Sequence, residues 1–166
     1  TGDASDWEKF QKWSETVPKT IRNPLYHWTH MELKRPFGIQ DRLLSPHTAK
    51  GIWEECNSKL AQPEFSCRGI LKQMNVEVIC TTDDPCDSLQ WHQLLQKDSS
   101  VLIQVLPAFR PDRGMALESP EEFNSWVDRL EAAADIAIRD YSSYLDALRL
   151  RHDYFHLHGC RRSDHG

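Results

Sequence analysis

The chain has no apolar run near the roughly 20 residues a bilayer-spanning helix needs, which excludes a membrane span of that kind. It has no excess of positive charge. Twenty Lys and Arg stand against 25 Asp and Glu, for a formal net charge of −5 and a pI near 5.9. That argues against nucleic-acid and anionic-membrane partners, both of which need a basic face. No CxxC occurs, and the five cysteines (Cys56, Cys67, Cys80, Cys86, Cys160) are scattered and odd in number. They read as reduced thiols of a cytoplasmic protein rather than a disulfide framework. No internal repeat or low-complexity stretch is present. The opening Thr1-Gly2-Asp3-Ala4-Ser5-Asp6 carries neither a basic nor an apolar region, so a signal peptide is not expected there. The missing initial Met suggests a processed, trimmed or internal start.

What the chain does have is enough apolar sequence for a core, 39% against 27% charged, so disorder is not expected. Its pattern divides near residue 75. Residues 1–75 read as helical. Ser5 or Asp6 caps a first helix whose Trp7, Phe10 and Trp13 share a face. Asn23-Pro24 opens a second, through Leu25, His27, Trp28, Met31 and Leu33. Ser45-Pro46 opens a third through Ile52, Trp53 and Leu60, and Ser66 a short fourth. Trp7, Trp13, Trp28 and Trp53 are expected in the core of this half rather than as a sugar-stacking platform. His27 and His30, with Tyr26 and Trp28 around them, are expected to pack rather than to bind a metal.

Residues 76–166 alternate strand and helix. Strands are expected over about 76–81 and 101–106, with a helix over about 87–97 between them. Ser119-Pro120-Glu121-Glu122 reads as a capping box opening a further helix. A long helix is expected from about Asp135 to Leu157, stopped by Gly159. Cys160 to Gly166 can begin a third strand. A strand-helix-strand unit implies parallel strands. Three parallel strands cannot close a barrel of about eight, so this half reads as part of a larger α/β protein.

Both apolar runs end in charged, proline-containing loops, Thr81-Thr82-Asp83-Asp84-Pro85 and Pro107-Ala108-Phe109-Arg110-Pro111-Asp112. Functional groups of parallel sheets gather at such strand ends. Arg110 can hold an anion bidentately, or simply pair with Asp112 and fix the loop. Neighbouring side chains on a strand face opposite ways, so at most one of Asp83 and Asp84 is expected at the site. Alternatively Asp83 or Asp87 caps the following helix. His165, next to Asp164, can move a proton between carbons near neutral pH, or ligate a metal. His152, His156, His158 and Cys160 read as a solvated helix end, where His suits the helix dipole, rather than as a zinc site.

Four stretches together resemble the uronate (glucuronate) isomerase family. They are Asn23-Pro24-Leu25-Tyr26-His27-Trp28-Thr29-His30-Met31-Glu32-Leu33 with Arg35-Pro36-Phe37-Gly38, then Thr81 to Pro85, Phe109 to Asp112, and Gly159 to His165. The resemblance covers essentially the whole chain, as an internal segment of a longer family pattern. It implies the amidohydrolase superfamily: part of a (β/α)8 TIM-type barrel, about three parallel strands with helices, plus a helical insertion subdomain. The expected division is 1–75 for the insertion and 76–166 for the barrel segment. It further implies aldose-ketose isomerisation of D-glucuronate to D-fructuronate and of D-galacturonate to D-tagaturonate. A first-strand HxH and a last-strand Asp, both outside this sequence, can hold zinc in the family. No cofactor is therefore expected within this chain, and the isolated chain is expected to be inactive. The resemblance places a substrate-binding arginine at Arg110. The expected sites are His165 and Asp84 as catalytic, and Arg110 and Asp112 as substrate-binding. The hexuronate is the expected partner, with self-association through exposed sheet edges. The competing readings are a zinc-dependent hydrolase of the same superfamily and a non-catalytic interaction module.

Overall fold

The computed structural model describes residues 2–166. The chain forms two units, one running to Val76 and the other from Glu77 to Gly166.

The first unit is helical. Helix α1 (Asp6–Thr16) starts where Ser5 accepts the Glu8 N–H and Glu8 reaches back to the Ser5 N–H, a complete capping box. Asn23 caps α2 (Pro24–Lys34) through the Leu25 N–H, and Ser66 caps α4 (Cys67–Gln73) through the Gly69 N–H. Helix α3 (Ala49–Leu60) begins later than Ser45-Pro46 suggests. The Thr48 hydroxyl ties that turn by donating to the Leu43 carbonyl and accepting the Ser45 N–H. Val17, Leu33, Ile39, Leu44 and Ile52 form the core, flanked by Phe10 and Trp13. Trp7 packs edge-on to Trp53 at 5.6 Å.

Helix α2 corrects one expectation. Its Tyr26-His30-Leu33 face turns inward, while Leu25, Trp28 and Met31 face solvent, Trp28 being 55% exposed. His30 is structural. Its Nε2 accepts the Leu44 N–H at 3.0 Å, so the ring proton sits on Nδ1 and is donated to the Tyr26 carbonyl at 2.7 Å.

In the second unit β1 (Val78–Cys80) and β2 (Gln104–Leu106) pair in parallel, with Ile79 opposite Val105. Both are shorter than the apolar runs suggest. Their hydrogen bonds nonetheless continue past Pro107, from the Ala108 N–H to Thr81, the Asp83 N–H to Ala108 and the Arg110 N–H to Asp83, and the isolated parallel bridges Asp83–Phe109 and Phe109–Ser163 extend the pairing. The expected third strand is thus a single bridge. Helix α5 (Gln90–Lys97) starts three residues later than the pattern suggests, because Leu89 has φ +54° and neither Asp83 nor Asp87 caps it. Helix α6 (Pro120–Ala134) lacks the expected Ser119 cap: the side chain makes no capping bond, although Pro120 holds the first helical position. The long helix does not begin at Asp135. That residue is left-handed (φ +54°) and ends α6. Helix α7 (Tyr141–Leu157) begins instead at a box in which Asp140 accepts the Ser143 N–H. Gly159, at φ +92°, follows the end of α7.

The core has two nuclei, Leu89, Phe109, Phe155 and Cys160 around the sheet, and Trp126, Leu130 and Ala147 between α6 and α7. All five cysteines are free. Among the described residues no helix is long and apolar enough to cross a membrane.

Candidate active site

The site forms where the sheet's carboxyl ends meet. The Phe109 N–H donates to the Arg162 carbonyl, and the Asp164 N–H to the Phe109 carbonyl. The Arg110 N–H donates to the Asp83 carbonyl at 2.9 Å. These backbone bonds bring Arg110, Asp112, Asp164 and His165 together from positions more than 50 residues apart in sequence.

The Arg110 guanidinium reaches Asp164 Oδ2 through Nη2 at 3.2 Å. Its Nε lies 3.4 Å from Asp112 Oδ2 but off hydrogen-bonding alignment, and is buried without a bond. The Thr82 hydroxyl also donates to Asp164 Oδ2, at 3.1 Å. Asp112 accepts from the Gly166 N–H at 2.7 Å on Oδ2, and its Oδ1 lies 3.1 Å from His165 Nδ1. The Gly166 N–H foremost, with His165 and Arg110, holds the Asp112 carboxyl below the usual carboxylate range. Arg110, Asp112, Thr82 and Asp84 line a cleft of about 510 Å³ with Arg113 and Arg129.

Asp84 faces this cleft, but its oxygens are already engaged. Trp126 Nε1–H lies 3.0 Å from both, the Cys86 N–H donates to Oδ1 at 2.9 Å, and Arg113 Nε stands 3.7 Å away. The arrangement locks the loop to α6. Burial, reinforced by Asp84, pushes the Cys86 thiol up to about 12, which makes it a poor nucleophile. Asp83 points the other way, into the interior. The Thr81 hydroxyl donates to its Oδ2 at 2.6 Å, and the Ala108 N–H lies 3.2 Å from the same oxygen. With the Thr81 proton so used, His92 Nε2, 2.7 Å from Thr81 Oγ1, carries its own proton.

Pattern reading missed three supports of this site. Two are Thr81 and His92, whose pairing joins a strand end to a helix 11 residues on. The third is Arg151. It is buried, and donates to the carbonyls of Pro85 (2.7 Å), Asp87 (2.8 Å) and Ala133 (3.0 Å) while covering the Tyr154 ring. A signal existed: Arg151 lies four residues from both Ala147 and Phe155, on α7's buried stripe. The helix-end histidines stay apart. His158 bonds Tyr154 and Gln93, His156 neighbours Arg161, and His152 lies edge-on to Phe109. Among the described residues no three His, Cys, Asp or Glu converge as a metal-binding group.

Fold and site therefore define an α/β segment with an arginine–acid–histidine cluster at the ends of parallel strands. Residues 1–166 match the family model of glucuronate isomerase (UxaC), and the chain belongs to that family. It is 57% identical over 166 residues to the uronate isomerase of Cellvibrio japonicus and 55% identical over 164 residues to that of Bacteroides thetaiotaomicron. These alignments cover 100% and 99% of this chain but 35% of each relative, so the chain spans about a third of their length. Among solved structures, the uronate isomerase of Thermotoga maritima superposes with a TM-score of 0.88 at 35% identity, covering 99% of this chain and 36% of that one. The glucuronate isomerase of Caulobacter crescentus gives 0.88 at 26% identity, covering 99% and 34%.

Proposed function

We propose that this chain is a segment of a uronate isomerase that interconverts D-glucuronate with D-fructuronate, and D-galacturonate with D-tagaturonate. In this reading residues 77–166 supply part of a (β/α)8 barrel and the first unit is a helical insertion. The observation that carries it is Arg110. It stands at a strand end and lines an open cleft with its side chain part-exposed, in a chain matched along its whole length by the isomerase family. A hexuronate offers the planar carboxylate that a guanidinium binds through two parallel N–H groups.

His165 then moves the proton. Isomerisation transfers hydrogen between adjacent carbons through an enediol, and an imidazole is basic enough near neutrality to take and return it. Asp84, tied to Trp126 and Cys86, shapes the cleft wall. Zinc, where the complete enzyme carries it, rests on residues outside this segment; the donor sets described above do not fit it, and no step is drawn through it. The acidic balance of the chain suits a cytoplasmic enzyme, and the arginines of the cleft suit a small anion. Exposed Val78 in β1 and Leu102 just before β2 favour self-association of the isolated polypeptide.

The test is ketose formation from D-glucuronate by this polypeptide and by a form extended at both ends to the relatives' length. Turnover by the extended form alone supports the isomerase reading. An extended form inert on uronates but able to hydrolyse esters or lactones with zinc overturns it.

A further inference from the structure

We propose that Asp112 is a positioning residue rather than a substrate ligand. It presents His165 with the proton on Nδ1 and the basic lone pair on Nε2, so that Nε2 is the atom that exchanges hydrogen with the substrate. The assignment of the substrate rests on the isomerase reading above; the ring state does not.

Both Asp112 oxygens are committed. Oδ2 takes the Gly166 N–H at 2.7 Å, and Oδ1 faces His165 Nδ1 at 3.1 Å. Residue 166 comes close to this carboxylate: a Cβ added to Gly166 would lie 3.1 Å from Asp112 Oδ2. Arg110 Nε adds a positive group 3.4 Å from Oδ2. A carboxylate held by these donors has no proton to give. The Asp112–His165 bond is therefore made by Nδ1–H as donor, which leaves Nε2 as the acceptor nitrogen. No protein group among the described residues bonds Nε2, and His165 is exposed. Neutral imidazole carries one ring proton, so fixing it at Nδ1 decides which atom is basic. This is the logic of a base oriented by a third group.

The chemistry balances without any further reagent. Nε2 takes the C2 hydrogen as a proton, the C2–H electron pair becomes the C1=C2 bond, and the C1=O π pair moves onto O1. The O2 proton passes to O1 across the cis-enediolate; the charge left on O2 then forms C2=O while the C1=C2 pair takes the proton back from Nε2–H at C1. The net change moves one hydrogen from C2 to C1 and one from O2 to O1, so nothing is oxidised or reduced overall.

Asp112→Asn tests the assignment because the amide has one oxygen for two donors. The Gly166 N–H cannot reverse its role, so it keeps the amide oxygen. The amide NH2 then faces His165 Nδ1 and turns that atom into an acceptor, moving the ring proton to Nε2. The measurement is 15N NMR of histidine-labelled chain near pH 8, where a reference imidazole is neutral. Expected is the Nδ1–H form of His165 in the parent chain and the Nε2–H form in Asp112→Asn. In the extended form the same substitution should lower kcat on the order of 10²–10⁴-fold with little change in KM. An Nε2–H ring in the parent chain overturns the proposal, and this result needs no variant to fold. So does an unchanged ring in Asp112→Asn. If the ring reverses but the unsubstituted extended form converts no uronate, the pairing stands and the isomerase reading falls.

Discussion

A guanidinium at a strand end can be a ligand or a brace, and Arg110 has features of each. Nη2 meets Asp164 at 3.2 Å and Nε lies 3.4 Å from Asp112, while the side chain lines the open cleft. Arg110→Lys keeps the charge but loses the planar pair of donors. We expect it to raise KM for D-glucuronate in the extended form about 10–100-fold, the range that a charge-assisted hydrogen bond implies, with a smaller change in kcat. Steady-state kinetics decides it; an unchanged KM would assign Arg110 to loop support. The strand-end setting of Arg110 was legible from the proline-containing loop after an apolar run. The partner exchange around it was not. Asp112 lies two residues away in sequence and invites a pairing with Arg110, yet its best bonds go to Gly166 and His165, more than 50 residues on. Nothing local encodes that choice. It depends on the Phe109–Ser163 bridge, which stacks two remote segments in parallel.

At the scale of elements, helix starts were legible where a short polar side chain precedes a free N–H. Ser5, Asn23 and Ser66 each cap as their positions suggest. The failures lie where backbone conformation overrides composition. Ser119 has the residues of a box but makes no side-chain bond, whereas Asp140 completes a box with Ser143 that lacks the usual Glu or Gln. The break between α6 and α7 turns on Asp135 at φ +54°, a conformation that Asp tolerates better than most residues but does not announce. Asp140→Ala should therefore lower the stability of the chain measurably, and Ser119→Ala hardly at all. The Asp140 contribution also has a pH signature. Its carboxyl is held below the usual range, chiefly by the Ser143 N–H. A folded-state value below the unfolded one gives stability that is present above the unfolded value near 4 and lost as pH falls through the folded one. Thermal denaturation at pH 7 and pH 3 should show the Asp140→Ala deficit at the first and a smaller deficit at the second. An equal deficit at both would assign the effect to something other than the charged cap.

At the scale of the whole molecule, the second unit has only three paired residues per strand and must fix its strand ends by other means. Arg151 is that means. One buried guanidinium donates to three backbone carbonyls, tying the Pro85–Asp87 loop beside the cleft to the end of α6 and to α7. Burial without a carboxylate in contact pulls its pKa down, and the Tyr154 ring beneath it provides part of the compensation. Such a charge is costly in isolation, so its stability depends on all three carbonyls being where they are. The fork geometry is what matters: a lysine ammonium is a compact point charge without the planar fork that spans these three separated carbonyls, so it leaves some of them buried and unmatched. Arg151→Lys should then cost about 2–4 kcal/mol, the penalty for about two stranded acceptors, despite conserving charge. The loss should be uneven across the chain. Amide exchange should quicken at Asp87, whose N–H bonds the Asp84 carbonyl, and along α7, while the first unit around Val17 and Ile52 keeps its protection. Hydrogen exchange followed residue by residue measures this directly. Uniform loss through both units would mean that Arg151 supports the chain generally; an unchanged Asp87 would mean that the loop carrying Asp84 is held by Trp126 alone.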